Sequence, residues 1–91
     1  MGRVVNLSSG QAVVTAAGEA VQLSANCILS VTIKAKSGNT GNIYIGGSDV
    51  SSSNGFILAA GEAISIDIDN MNDIWIDADT NGNGICFLKG E

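Results

Sequence analysis

Slid along itself by 43 positions, the chain matches itself without a gap: "QAVVTAAGEAVQLSAN", from Gln11, lies over "NGFILAAGEAISIDID", from Asn54. "SVTIKAKSGNTGNIYIGG", from Ser30, then lies over "DIWIDADTNGNGICFLKG", from Asp73. The copies share AAGEA, a V-x-I or I-x-I run, and glycines at 41/84 and 47/90 in one register. Two units are too few for a solenoid or a propeller, which bury a core only by stacking several neighbours. The repeat therefore predicts an internal pseudo-twofold within one 91-residue domain, with halves 11–47 and 54–90 and a connector at 48–53.

Each copy reads as four strands. In the first they fall near Ala12 to Thr15, Ala20 to Ser24, Ser30 to Lys36 and Asn42 to Gly46. In the second they fall near Gly55 to Leu58, Ala63 to Ile68, Asp73 to Asp79 and Ile85 to Lys89. These runs are rich in Val and Ile, alternate at period two and are bounded by Gly, Asn and Ser, while no stretch sustains the 3.6 period of a helix. The expected fold is all-β: an eight-stranded β-sandwich or jelly-roll-like small barrel whose two four-stranded halves face each other. The sequence has no proline, so glycine and asparagine must make the turns. AAGE reads as a tight turn in both copies, and "KSGNTGN" and "DTNGNGI" as the tips of hairpins joining third to fourth strands.

The stretch "DADTNGNG", from Asp77, opens like the D-x-D-x-N-G of a calcium loop. Its twelfth position is Leu88 rather than a carboxylate, no helices flank it, and the first copy carries Lys34 and Lys36 where the second has Asp77 and Asp79. A hairpin tip with its aspartates on a solvated face is the simpler reading. Asp77, Asp79 and Asn81 are the only, weak, candidates for metal ligands, and no metal or other cofactor is expected. Catalysis finds little to use either: there is no histidine, Cys27 and Cys86 have no base nearby in sequence, and the serines follow no nucleophile-elbow pattern. The carboxylates at 67, 69, 73, 77 and 79 read as solubilising, and "IGGS" and "NGNGI" fit neither dinucleotide nor Walker loops. No enzyme is expected.

Alternation places Trp75 on the face of Asp73, Asp77 and Asp79, and sets Tyr44 and Phe87 out of phase with Ile43, Ile45, Cys86 and Leu88. With short hairpins, Trp75 stands opposite Phe87 and Thr32 opposite Tyr44, which puts an aromatic pair on an outer sheet face. Only 14% of residues are charged, against about 25% in typical domains, and the mean hydropathy is +0.29. That leaves too little charge to coat a lone monomer, so a homo-oligomer is expected, with Trp75, Phe87 and Tyr44 as interface anchors. Lys34 and Lys36 of one subunit would face Asp77 and Asp79 of its neighbour in a ring. A net charge of -5, with only Arg3, Lys34, Lys36 and Lys89 as cations, argues against nucleic acid as a partner. "MGRVVNLSSG" has no signal-peptide run, no stretch is long and apolar enough to span a membrane, and Cys27 and Cys86 are expected as free, buried thiols.

From Val31 onward the text resembles a small β-domain commonly encoded by tailed bacteriophages. Its "NTG-x-IY-hydrophobic-G", "G-x-x-L-x-x-G-E" and "N-x-x-x-IYIDA" elements stand here at Asn39 to Gly46, Gly55 to Glu62 and Asn72 to Ala78. The resemblance covers roughly two thirds of the chain. It implies a virion protein, assembled in the host cytoplasm, that binds the major capsid protein or another virion protein as a capsid decoration, with a trimer as the arrangement that suits local threefold positions. A tail or fibre accessory is the second reading. A carbohydrate-binding module, with Trp75, Tyr44 or Phe87 stacking on sugars, is the third. The N-terminal dozen residues match none of these elements, and "MGRVVNLSSG" is expected to be an arm on a neighbour or a frayed end.

Overall fold

The structure is a computed structural model that describes residues 7–24, 28 and 30–90. Among these, eight strands form: β1 (Leu7–Val13), β2 (Val21–Gln22), β3 (Ser30–Ala35), β4 (Ile43–Gly46), β5 (Phe56–Leu58), β6 (Ala63–Ile66), β7 (Trp75–Ala78) and β8 (Gly84–Gly90). One 3-10 turn, Met71–Asp73, precedes β7, capped by the Asn70 side chain, which accepts from the Asn72 amide. The strands make two antiparallel four-stranded sheets packed together, a front sheet in the order β1-β8-β3-β6 and a back sheet in the order β2-β7-β4-β5. This order is that of a jelly roll, and the all-β sandwich read from the period-two runs is the fold observed.

The repeat superimposes β1 to β4 on β5 to β8, and the pairings obey it. β1-β8, β8-β3 and β3-β6 in the front sheet become β5-β4, β4-β7 and β7-β2 in the back sheet. The pseudo-twofold thus exchanges the two sheets, and every ladder joins a strand of one half to a strand of the other. The halves interlock rather than face each other as two sheets, which corrects the expected arrangement. It also corrects the expected hairpins. Segments 36–42 and 79–83 carry the chain from one sheet to the other, so β3 does not pair with β4, nor β7 with β8. Among consecutive strands only β4 and β5 pair.

AAGE closes the same turn twice. The Glu19 amide donates to the Ala16 carbonyl (3.1 Å) and the Glu62 amide to that of Ala59 (2.9 Å). The third residue has positive φ both times, 90° at Gly18 and 86° at Gly61. Since Ala17 and Ala60, the second residues, do not have positive φ, each is a type II turn with glycine where that turn requires it.

Alternation fills the space between the sheets. Ile33 and Ile85 from the front sheet and Ile43 and Ile76 from the back sheet are completely buried, and Met71 closes the core from the 3-10 turn. Each such side chain contributes about 1.5–3 kcal/mol by leaving water. On β8 the inward residues are Ile85 and Phe87, paired with Ala35 and Ile33, so Cys86 and Leu88 face outward. The repeat register predicts the reverse. From the last inward residue of β3, Ala35, to the first of β4, Ile43, the corner takes eight positions, whereas from Ala78 to Ile85 it takes seven. A one-residue difference flips every side chain of the following strand. β1 also starts five residues earlier than expected, so the stretch read as an arm or frayed end is, from Leu7, part of the front sheet.

Candidate interaction surface

The middle of the outer face of the back sheet is covered by the chain itself. Asp77, on β7, is 2% exposed, and its Oδ1 accepts from the Gly18 amide at 3.0 Å and the Ala78 amide at 2.8 Å. Asn81 Oδ1 accepts from the Ala17 amide at 2.7 Å, so the first AAGE turn is pinned across the end of this sheet. Next to it, on β4, Tyr44 is 6% exposed and donates its hydroxyl to Asp79 Oδ1 at 2.7 Å, while Asp79 Oδ2 accepts from the Asn42 amide at 3.1 Å. That bond to Asp79 pushes the Tyr44 hydroxyl above its ordinary 10.0, and burial and the Asp79 and Asp77 charges add to it, against a smaller opposite pull from Asn42. Val50, in the loop after β4, lies over Gly46, and Gly55 lies against Tyr44, both close approaches that a side chain at either glycine would block.

These bonds decide the fate of several expected sites. Asp77 Oδ1, both carboxylate oxygens of Asp79 and Asn81 Oδ1 accept from amide or hydroxyl donors of the protein and serve to hold loops. Asp77 does not stand on a solvated face and, being buried, cannot meet a neighbour's lysine, so the expected ring contact of Lys34 and Lys36 with Asp77 and Asp79 cannot use Asp77; of the two aspartates only Asp79 is exposed. Nor does the aromatic pair form. Trp75 is half-buried on the back sheet, opposite Gly46 and Gln22, whereas Phe87 points into the core from the front sheet opposite Gly10 and Ile33. Thr32 pairs with Leu88 and Ser65, and Tyr44 with Asp77 and Ile57.

The front sheet is different, and the reason lies in one matched position. Lys34 stands in the repeat where Asp77 stands, but an ammonium has only donors and cannot accept an amide as the carboxylate does. The second AAGE turn therefore binds backbone instead, the Gly61 amide donating to the Ala35 carbonyl at 3.0 Å. Lys34 stays exposed, and a shallow groove of about 340 Å³ runs beside it over Thr32, Cys86 and Leu88. A second groove, of about 470 Å³, continues it past Lys36 towards Gly82. Among the described residues no carboxylate lines either groove.

Sequence reasoning missed the apolar content of this face. Leu7 (70% exposed), Val13 (43%) and Leu88 (49%) all point out from it, each in the outward phase of its strand. Leu7 and Val13 share an alternation with Ser9 and Gln11, the signal that could have revealed them had β1 been read from its true start. Cys86 is a free thiol at the surface rather than in the core, its Sγ 3.8 Å from the Lys34 carbonyl it donates to. Cys27 and Arg3 lie outside the described residues. A second apolar surface sits at the β5 edge of the back sheet, where Phe56 and Ile57 are each 56% exposed. Comparison of the chain with family models, with curated proteins and with solved structures returns no match.

Proposed function

We propose that this chain is a non-enzymatic structural protein of a tailed-phage virion, binding the outside of the head as an oligomer and reinforcing contacts between capsid subunits. The observation that supports this reading best is the presence of two separate apolar surfaces on one small sandwich: Leu7, Val13 and Leu88 on the front sheet, and Phe56 with Ile57 at the β5 edge. Large apolar side chains exposed on one face offer area for contact with other macromolecules, and two such faces let one molecule touch its own copies with one and the shell with the other. The phage setting rests on the resemblance carried by residues 39–46, 55–62 and 72–78. Each contact adds buried area, and many symmetric copies act together through avidity.

Copy number and position in purified particles test this. A decoration protein is expected on the head surface in copies on the order of hundreds, as lattice-wide avidity requires. A handful of copies at one vertex or on the tail would favour the tail or fibre reading. Specific capture on a glycan array, with no copies on particles, would replace both by carbohydrate binding.

A further inference from the structure

The outer face of the front sheet is ordered in rows across its strands. Gln11, Cys86, Lys34 and Ala63 share one row, and Ser9, Leu88, Thr32 and Ser65 the next. Val13 stands at one end of β1 and Leu7 at the other, about 20 Å apart at ~3.4 Å per residue. Lys36, one residue past β3 and still laddered through its amide to the Gly84 carbonyl, lies at the Val13 end in the outward phase of Lys34. Asp67, exposed and one residue past β6, lies at the Leu7 end in the outward phase of Ala63 and Ser65. The face is therefore basic at one end, acidic at the other, and carries an apolar side chain at each end of its β1 side and Leu88 between them.

We propose that a second copy of this chain docks on this face, front sheet to front sheet, about a twofold axis running across the strands between the Leu88 row and the Cys86 row. Such an axis reverses the strand direction of the second copy. Val13 of each molecule then stands over Leu7 of the other, Leu88 over Cys86, and Lys36 beside Asp67. An axis along the strands would instead set Leu7 against Asp67 and leave Lys36 over Gly84, so apolar and charged complementarity select the same operator. The contact is isologous and closes at two copies. This deepens the oligomeric part of the proposed function and rests on it. A footprint of roughly 20 by 20 Å gives about 800 Å² over both copies, the weak end for specific interfaces, so a weak, concentration-dependent dimer is expected.

Sedimentation of the full chain at low salt, from about 1 to 300 μM, tests the proposal across that range. A monomer–dimer equilibrium is expected. Leu88→Glu, at a half-exposed position, should leave the circular dichroism unchanged and the protein monomeric throughout. Lys36→Asp and Asp67→Lys should each weaken association about tenfold, and the two together should restore it, a recovery that loss of folding cannot produce. A monomer at every concentration, a trimer, a dimer indifferent to Leu88→Glu, or no recovery in the charge exchange would each overturn it. Particle binding is measured separately. A Leu88→Glu monomer that decorates heads in full leaves head binding intact and removes the oligomer from the proposed function, and a dimer that binds no particle leaves the interface intact and removes the function.

Discussion

Asp77 and Lys34 hold the same place in the two halves, yet one is 2% exposed beneath a turn and the other faces solvent. The carboxylate has two backbone donors to satisfy it, from Gly18 and Ala78, and they share the single oxygen Oδ1. Asp77→Ala leaves the Gly18 amide without its acceptor and is expected to cost about 1–3 kcal/mol, read as a lower urea midpoint. Asp77→Asn keeps an acceptor in place and is expected to cost less. Tyr44 gives a pH dependence whose sign is fixed by its hydrogen bond. Its hydroxyl ionises at higher pH in the folded protein than in the unfolded chain, chiefly because it donates to Asp79. The unfolded chain therefore loses that proton first. The stability involved is fully present below pH 10 and is lost as the pH rises through the folded value. Unfolding midpoints measured from pH 8 upward should fall more steeply above about pH 10 in the wild type than in Tyr44→Phe. Equal slopes would show that the Tyr44 to Asp79 bond carries no linkage.

At the scale of the element, the two AAGE turns are the same device with different docking. Both need glycine at positive φ, and nothing crowds the place of a Cβ at Gly18 or Gly61, so a substitution there is penalised by backbone conformation alone. Gly61→Ala and Gly18→Ala are each expected to cost about 1–2 kcal/mol, and to do so by similar amounts, in equilibrium unfolding. A much larger loss at one of them would mean that its docked amide, to Asp77 or to Ala35, also breaks. These turns were legible in the sequence because their chemistry is local, and so were the strands after β1, whose period-two runs report which residues alternate; of β1 only its last two residues, Ala12 and Val13, were read as strand. Strand partners were not legible. Alternation says which face a side chain takes but not which strand lies beside it, and "KSGNTGN" and "DTNGNGI" read equally well as hairpin tips and as the sheet-to-sheet corners they are. The outward orientation of Lys34 followed from the pattern alone. The reversal of Cys86, Phe87 and Leu88 did not, since it depends on one residue fewer in a corner, and the burial of Asp77 depends on a turn brought to it from more than fifty residues away.

For the molecule as a whole, the consequence of interlocking is that neither half contains a pair of adjacent strands. β8 separates β1 from β3, β7 separates β2 from β4, and the second half is interrupted in the same way by β3 and β4. A half alone therefore has no ladder to form, its Val and Ile runs have no opposing sheet, and two or more unpaired strands cannot meet the entropic cost of ordering about 45 residues. Cutting the chain in the exposed part of the 47–55 loop, between Ser52 and Ser53, is expected to give two fragments that are each unfolded by circular dichroism. Mixed at equal concentration they should recover the sheet signal and the native fluorescence of Trp75, because every ladder they need is between them. The recovery should depend on concentration as a bimolecular reaction does, and folding of the uncut chain should be slow for its size, since all its strand pairs cross the repeat boundary. A fragment that folds as a monomer would show that the pairings within the intact protein do not exhaust what its strands can do, and would remove the obligate exchange between halves from the account of this fold.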